Sequence, residues 1–154
     1  MRIVLAALVA LLTLAVGILH FALDFVLFGG RFVSTGPPPG APAGNPPPGP
    51  SPGSIAKLIG PRLPELFVAN LVVFVVLAIA FLAASRARPR VRMLVDVLIV
   101  LATVATLAGW NGIGRPNPRG LGKWAVTIEF ALIAAALVHA LIVSRRARLS
   151  PSSG

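Results

Sequence analysis

The sequence predicts an all-α membrane protein, a compact bundle of four transmembrane helices, and three observations predict it. Four apolar runs are each long enough to cross a bilayer, which takes about 20 residues. Charge is scarce: 12% of the 154 residues are charged while 56% are hydrophobic, with a mean hydropathy of +0.91. A soluble domain carries roughly 25% charged residues, so this chain has too little polar surface to dissolve as a globule. Finally, the basic residues sit almost entirely at run ends and in connecting loops. A formal net charge of +10 would suggest nucleic acid in a soluble protein. In this arrangement it points to anionic lipid headgroups and to topology signals, with no nucleic-acid partner.

The first span covers residues 3–28. At about 1.5 Å per residue it reaches roughly 39 Å, enough to cross a hydrocarbon core of about 30 Å with tilt. A secretory signal is the rival reading, since Arg2 precedes the apolar stretch. The run exceeds the roughly 7–15 residues of a signal core, and it ends in FALDFVLFGG, with aromatics where a cleavage site needs small residues. An uncleaved helix is therefore expected.

Residues 29–63 read as an external loop. Between Pro37 and Pro52 there are nine prolines in sixteen positions and no charge. Proline lacks a backbone donor and glycine adds unfolded-state entropy, so a disordered mixture of polyproline II and coil is expected. A plain linker fits this composition better than a ligand for a proline-binding domain, because charged flanks are missing. Lys57 and Arg62 are expected in the headgroup region, and Pro64 suits the first helical position of the next span.

The second span, 65–84, is nearly pure aliphatic and aromatic sequence. The turn Ser85–Arg92 follows, with Arg86, Arg88, Arg90 and Arg92 and no acid. Four positive charges against two apolar runs mark this turn as cytoplasmic, with Pro89 ending one helix before the next begins. The third span, 91–109, contains Asp96, Thr103 and Thr106. A Gly, Asn and Pro-rich loop leads to the fourth span, 124–144, and the chain closes on Arg145, Arg146, Arg148 and a short polar tail. Trp110 and Trp124 at the two ends of that loop match the aromatic belt of a membrane interface.

Four spans put both termini on one side. With the basic turn that side holds eight positives, Arg2, Arg86, Arg88, Arg90, Arg92, Arg145, Arg146 and Arg148. The other side holds six, Arg31, Lys57, Arg62, Arg115, Arg119 and Lys123. Both termini are accordingly expected in the cytoplasm, in a bacterial inner or plasma membrane; the preference for Arg over Lys and the Ala, Gly and Pro content suit a GC-rich bacterial gene.

The only acids, Asp24, Glu65, Asp96 and Glu129, fall one to each span or its edge. A carboxylate within a span is expensive unless neutral, paired or facing water. Asp24, Glu65 and Glu129 are expected in an outer layer, with His20 one turn from Asp24 on the same helix face. This set is the candidate ion or proton relay. Asp96 and His139 form an inner-side polar pair. Structural alternatives are a dipole role for Glu65, pairing of Asp24 with Arg31 and of Asp96 with Arg92, and pairing of Glu129 with Arg115, Arg119, Lys123 or His20.

No cofactor or metal is expected. The ligand types at His20, Asp24, Glu129 and Glu65 lack the spacing of a known metal motif, and His20 and His139 lie at unmatched depths for haem. The chain has no cysteine, no hydrolase triad signature, no Walker loop and no dinucleotide fingerprint. Small residues four apart, as in Thr13/Gly17, Ala80/Ala84 and Ala105/Gly109, favour close helix packing. Together these features suggest a small non-enzymatic accessory or scaffold component acting through a membrane protein partner or as a homo-oligomer. The alternative is a small oligomeric transporter or channel for protons or cations, and a membrane enzyme is the third reading.

Overall fold

The computed structural model describes residues 2–28, 62–112 and 120–149. Over these the chain forms four helices, α1 Arg2–Phe28, α2 Leu63–Ala84, α3 Pro89–Gly112 and α4 Leu121–Leu149. The fold is an all-α four-helix bundle, as expected. Each helix contains a stretch long and apolar enough to cross a membrane: Ile3–Leu27, Leu63–Ala84, Pro89–Gly112 and Leu121–Arg145. The proline-rich segment 37–52, most of the 29–63 loop, and Arg31, Lys57, Arg115 and Arg119 lie outside the described residues.

Several helices run further than their apolar stretches. Hydropathy ends the third and fourth runs near their flanking polar residues, at 91–109 and 124–144, whereas α3 and α4 continue to Pro89–Gly112 and Leu121–Leu149. Arg and Lys are good helix formers with stems that reach away from apolar surface, so the backbone has no reason to stop where the apolar run does. Pro89 opens α3 rather than merely ending α2, because a first-turn proline lacks only an N–H that would be orphaned anyway. The link between them is tight, with Ser85 N–H donating to Leu82 O at 3.1 Å and Ala87 N–H to Ala84 O at 2.9 Å.

The helices pack as a ring in the order α1, α2, α3, α4, with α1 also against α4. The α1–α2 seam is the most extensive and the α2–α3 seam the sparsest. Gly17 contributes to the first: a Cβ there would lie 3.1 Å from Phe74 Cβ and 3.4 Å from Leu71 O, a tight fit that glycine relieves where the two helices approach. Gly109 on α3 shows the opposite, since a Cβ there would meet nothing within 4 Å.

Apolar side chains cover the outside, among them Ile3, Leu11, Ile18, Val76, Ile79 and Leu101. This is the surface a bilayer solvates. Inside, Val9, Val16, Phe74, Ile99, Leu132 and Ala136 are fully buried and belong to one apolar core. A smaller cluster of Leu23, Phe67, Trp110 and Ala125 closes the end of the bundle near the α3–α4 loop.

Candidate functional site

Buried positions recur along each helix at about seven-residue spacing. On α1 they are Val9, Thr13, Val16, His20, Leu23 and Asp24; on α3, Asp96, Ile99, Thr103 and Trp110. Phe67, Phe74 and Phe81 line α2, and Ala125, Glu129, Leu132, Ala136 and Val143 line α4. This period keeps one stripe of each helix facing its neighbours. The stripe carries Asp24, Asp96, Glu129 and His20, so these polar groups point into the bundle and away from lipid.

The inner pair is Asp96 and His139. His139 Nδ1 lies 2.9 Å from Asp96 Oδ2 and 3.1 Å from Oδ1, the geometry of one N–H shared by two carboxylate oxygens. It links α3 to α4, while the Phe81 ring of α2 packs 5.0 Å from the imidazole. Asp96 meets His139 and not Arg92. Arg92 Nε instead donates to Ala84 O, the last residue of α2, and to Ala87 O in the turn, both at 3.1 Å. A cavity of about 540 Å³ at this end is lined by Ala6, Phe81, Ser85, Arg92, His139 and Val143, among others. Arg86, Arg88, Arg90 and Arg145 are exposed around the same end; the side chains of Arg146 and Arg148 lie outside the described residues.

The outer layer is built differently. His20 Nδ1–H donates to Val16 O at 2.9 Å, one turn back on α1. That contact places the proton on Nδ1 and turns Nε2 toward Glu129 of α4, whose Oε1 is 3.5 Å away. The separation brings the two charges or dipoles together without making a hydrogen bond, and both atoms lack a hydrogen-bond partner among the described residues. Asp24, fully buried, likewise has neither oxygen hydrogen-bonded among the described residues. Two aromatic rings flank the imidazole. Phe67 lies 6.0 Å and Trp110 6.1 Å from His20, and the two are 6.2 Å from each other.

The two layers are about 15 Å apart along α4, ten residues at 1.5 Å each. Between them stand Val16, Phe74, Ile99 and Leu132, with no exposed surface. The hydroxyls at this depth are already engaged: Thr13 donates to Val9 O and Thr103 to Ile99 O, both at 2.7 Å. No polar track joins His20 to His139 among the described residues. Nor is there, among them, a group of three or more His, Cys, Asp or Glu side chains able to hold a metal ion.

Trp110 departs from the expected aromatic belt. It is 6% exposed inside the bundle, whereas Trp124 is 64% exposed on the surface. The reason is that α3 continues past Gly109, so Trp110 falls on the same inward stripe as Asp96 and Thr103, fourteen and seven residues earlier. Sequence reasoning also passed over Asn70, the single amide of α2, which lies against Thr106 of α3 with 3.0 Å between Asn70 Oδ1 and Thr106 Oγ1. An amide in the middle of an otherwise apolar span was the available signal.

Asn70 and Thr106 border a cleft of about 380 Å³ between α2 and α3, with His20, Phe67 and Trp110 at one end and Val73 and Ala102 at the other. Neither a family model, nor a curated protein, nor a solved structure matches the chain.

Proposed function

We propose that this polytopic membrane protein is a non-enzymatic accessory component that acts through a partner within the bilayer. One observation carries the reading: among the described residues, the fully buried apolar side chains of Val16, Phe74, Ile99 and Leu132 stand between the two buried polar layers. Ion or proton transfer needs a continuous chain of water or exchangeable groups, and the threonines at this depth spend their hydroxyls on their own helices. The His139–Asp96 contact then serves as a strut between α3 and α4. Because the four helices expose large apolar side chains along their lengths, a partner would meet this protein chiefly in the membrane plane. A second copy of the chain satisfies that condition as well as a different protein does.

A small oligomeric proton or cation transporter is the second reading, and the outer layer favours it. His20, Glu129 and Asp24 are buried with unsatisfied polar atoms, the state of groups that take up a proton or ion in another conformation. Reconstituted vesicles loaded with proton and cation reporters separate the two readings. The accessory reading expects no gradient-dependent flux from wild type, and a stoichiometric membrane partner or defined homo-oligomer after gentle solubilisation. Flux in wild type that disappears in a folded Glu129→Gln protein would overturn it.

The orientation we propose places both termini and Arg86–Arg92 in the cytoplasm, on the eight-to-six distribution of positive residues. Because the chain has no cysteine, single-cysteine variants label cleanly. An impermeant reagent applied to intact cells should modify Ser51→Cys and spare Ser85→Cys; the reverse pattern inverts the topology.

A further inference from the structure

Arg92 carries a charge that nothing else in the described bundle balances. It lies in the first turn of α3, half-buried, with Nε donating to Ala84 O and Ala87 O. Those bonds place the side chain without answering its charge. Among the described residues no carboxylate lies within ion-pair distance of the guanidinium, and its two terminal nitrogens have no hydrogen-bond partner. A cation drawn into the edge of a membrane span needs water or an anion. The chain has four acids. Asp24, Glu65 and Glu129 belong to the other end of the bundle, and Asp96 gives both oxygens to His139. Arg86, Arg88, Arg90 and Arg145 are exposed around the Arg92 end and add charge of the same sign. An anion for Arg92 therefore comes from outside the chain.

The cavity beside it has room for one. Its volume of about 540 Å³ lies in the roughly 300–1,000 Å³ range of small-molecule sites. Arg92 and Ser85 line it, and both have accessible surface, Arg92 as a half-buried and Ser85 as an exposed residue. The guanidinium is a planar fork whose N–H groups fit phosphate oxygens in pairs, and the Ser85 hydroxyl is a further donor. His139 also lines the cavity, its side chain 15% exposed. Its Nδ1–H is committed to the Asp96 carboxylate, so a neutral ring has Nε2 left as an acceptor, suited to a headgroup hydroxyl and not to the anion itself. Apolar side chains make up the rest of the wall, with Ala6 and Phe81 inside and Ile3 85% exposed at the surface. A water-soluble anion would leave that apolar part uncovered. A phospholipid covers both parts, its phosphate at the basic wall and the first methylenes of an acyl chain along Ile3 and Ala6. Headgroup charge is constrained too: a zwitterionic lipid brings an ammonium that needs a carboxylate, and Asp96 is already taken.

We infer that this cavity binds the phosphate of an anionic phospholipid from the leaflet on the arginine-turn side, with Arg92 as the principal contact and Ser85 beside it. One lipid held in one place differs from the diffuse attraction of exposed arginines to a charged surface. The site goes beyond the accessory reading and holds whether the protein's partner is a second copy or a different chain.

Titrating the intact chain, purified in neutral detergent and stripped of lipid, with dioleoylphosphatidylglycerol tests this through two readouts. Native mass spectrometry counts retained lipids, and the unfolding midpoint follows saturation. At about 0.3 M salt, which screens exposed charges more than half-buried ones, wild type should retain one lipid per chain and show a saturable rise in midpoint. Dioleoylphosphatidylcholine should bind at least about fivefold more weakly. Inorganic phosphate, the same anion without chains, should not reproduce the rise at equal concentration. Arg92→Gln should weaken lipid binding at least about tenfold, the loss of a charge-assisted hydrogen bond. Arg90→Gln, which removes an exposed charge from the same end, should weaken it by less than about threefold. Ala6→Phe, which fills the cavity from α1 and leaves every arginine in place, should weaken it at least about fivefold. Each variant is measured against its own lipid-free midpoint, so lost stability does not imitate lost binding, and the wild-type comparisons stand without any substitution. Equal affinity for the two lipids, equal losses from Arg90→Gln and Arg92→Gln, or affinity unchanged by Ala6→Phe would each overturn the proposal. Saturable stabilisation by inorganic phosphate matching that of the lipid would overturn it as well, leaving a site for a free anion.

Discussion

The two ends of the bundle hold the same residue types in opposite states. Near the arginine turn, His139 and Asp96 share a contact at 2.9 and 3.1 Å, and Arg92 donates to the last carbonyl of α2 and to one in the turn, both at 3.1 Å. Toward the other end, His20 and Glu129 stand 3.5 Å apart without a hydrogen bond, Asp24 has no hydrogen-bond partner among the described residues, and the α2–α3 seam opens into a cleft. A buried polar group left unsatisfied in an apolar medium is destabilising by an amount comparable to the hydrogen bond it lacks. The contrast thus separates a region whose buried polar groups are paired from one in which, among the described residues, they are not. The same contrast appears in the glycines, Gly17 closed against Phe74 and Gly109 facing open space.

Removing one partner at each end puts this difference on a scale. Asp96→Ala leaves His139 Nδ1 without its acceptor and should destabilise the bundle by about 3 kcal/mol, read as a shifted unfolding midpoint in detergent or nanodiscs. Glu129→Gln removes no formed hydrogen bond and should change stability by less than about 1 kcal/mol in the same assay. Equal losses from the two substitutions would mean that the outer carboxylate is as fully engaged as the inner one, and the distinction between the ends would fall. The smallest expected effect has the opposite sign. Gly109→Ala adds a methyl group to open space within a helix, so the higher helix propensity of alanine should raise stability by up to about 1 kcal/mol. A loss there would show that the α2–α3 seam closes more tightly than its cleft implies.

How far the candidate site was legible depended on what each residue must satisfy. The carboxylates and histidines drew notice because charge within an apolar run is expensive wherever it points, and the alternation of spans separated His20 from His139 in depth. Asn70 and Thr106 were less visible, since neutral amides and hydroxyls are tolerated in spans and hydrogen-bond across helices or to their own backbone. Trp110 was assigned to the interface because tryptophan at the edge of an apolar run usually lies there. Its inward direction follows from helix phase, which a count of apolar residues does not carry.

By itself the sequence determined that four helices form, roughly where each one lies, and that the bundle belongs in a bilayer. These are local consequences of hydrocarbon thickness and of the need to satisfy every backbone N–H and C=O within its own segment. Tertiary structure decided which polar groups meet, that His139 takes Asp96 while Arg92 caps α2, and that one seam of α2 closes while the other opens. In water the apolar face of a helix announces the core. In lipid the outside is as apolar as the inside, so helix phase and partner choice are settled by side-chain fit and hydrogen bonding between helices distant in sequence.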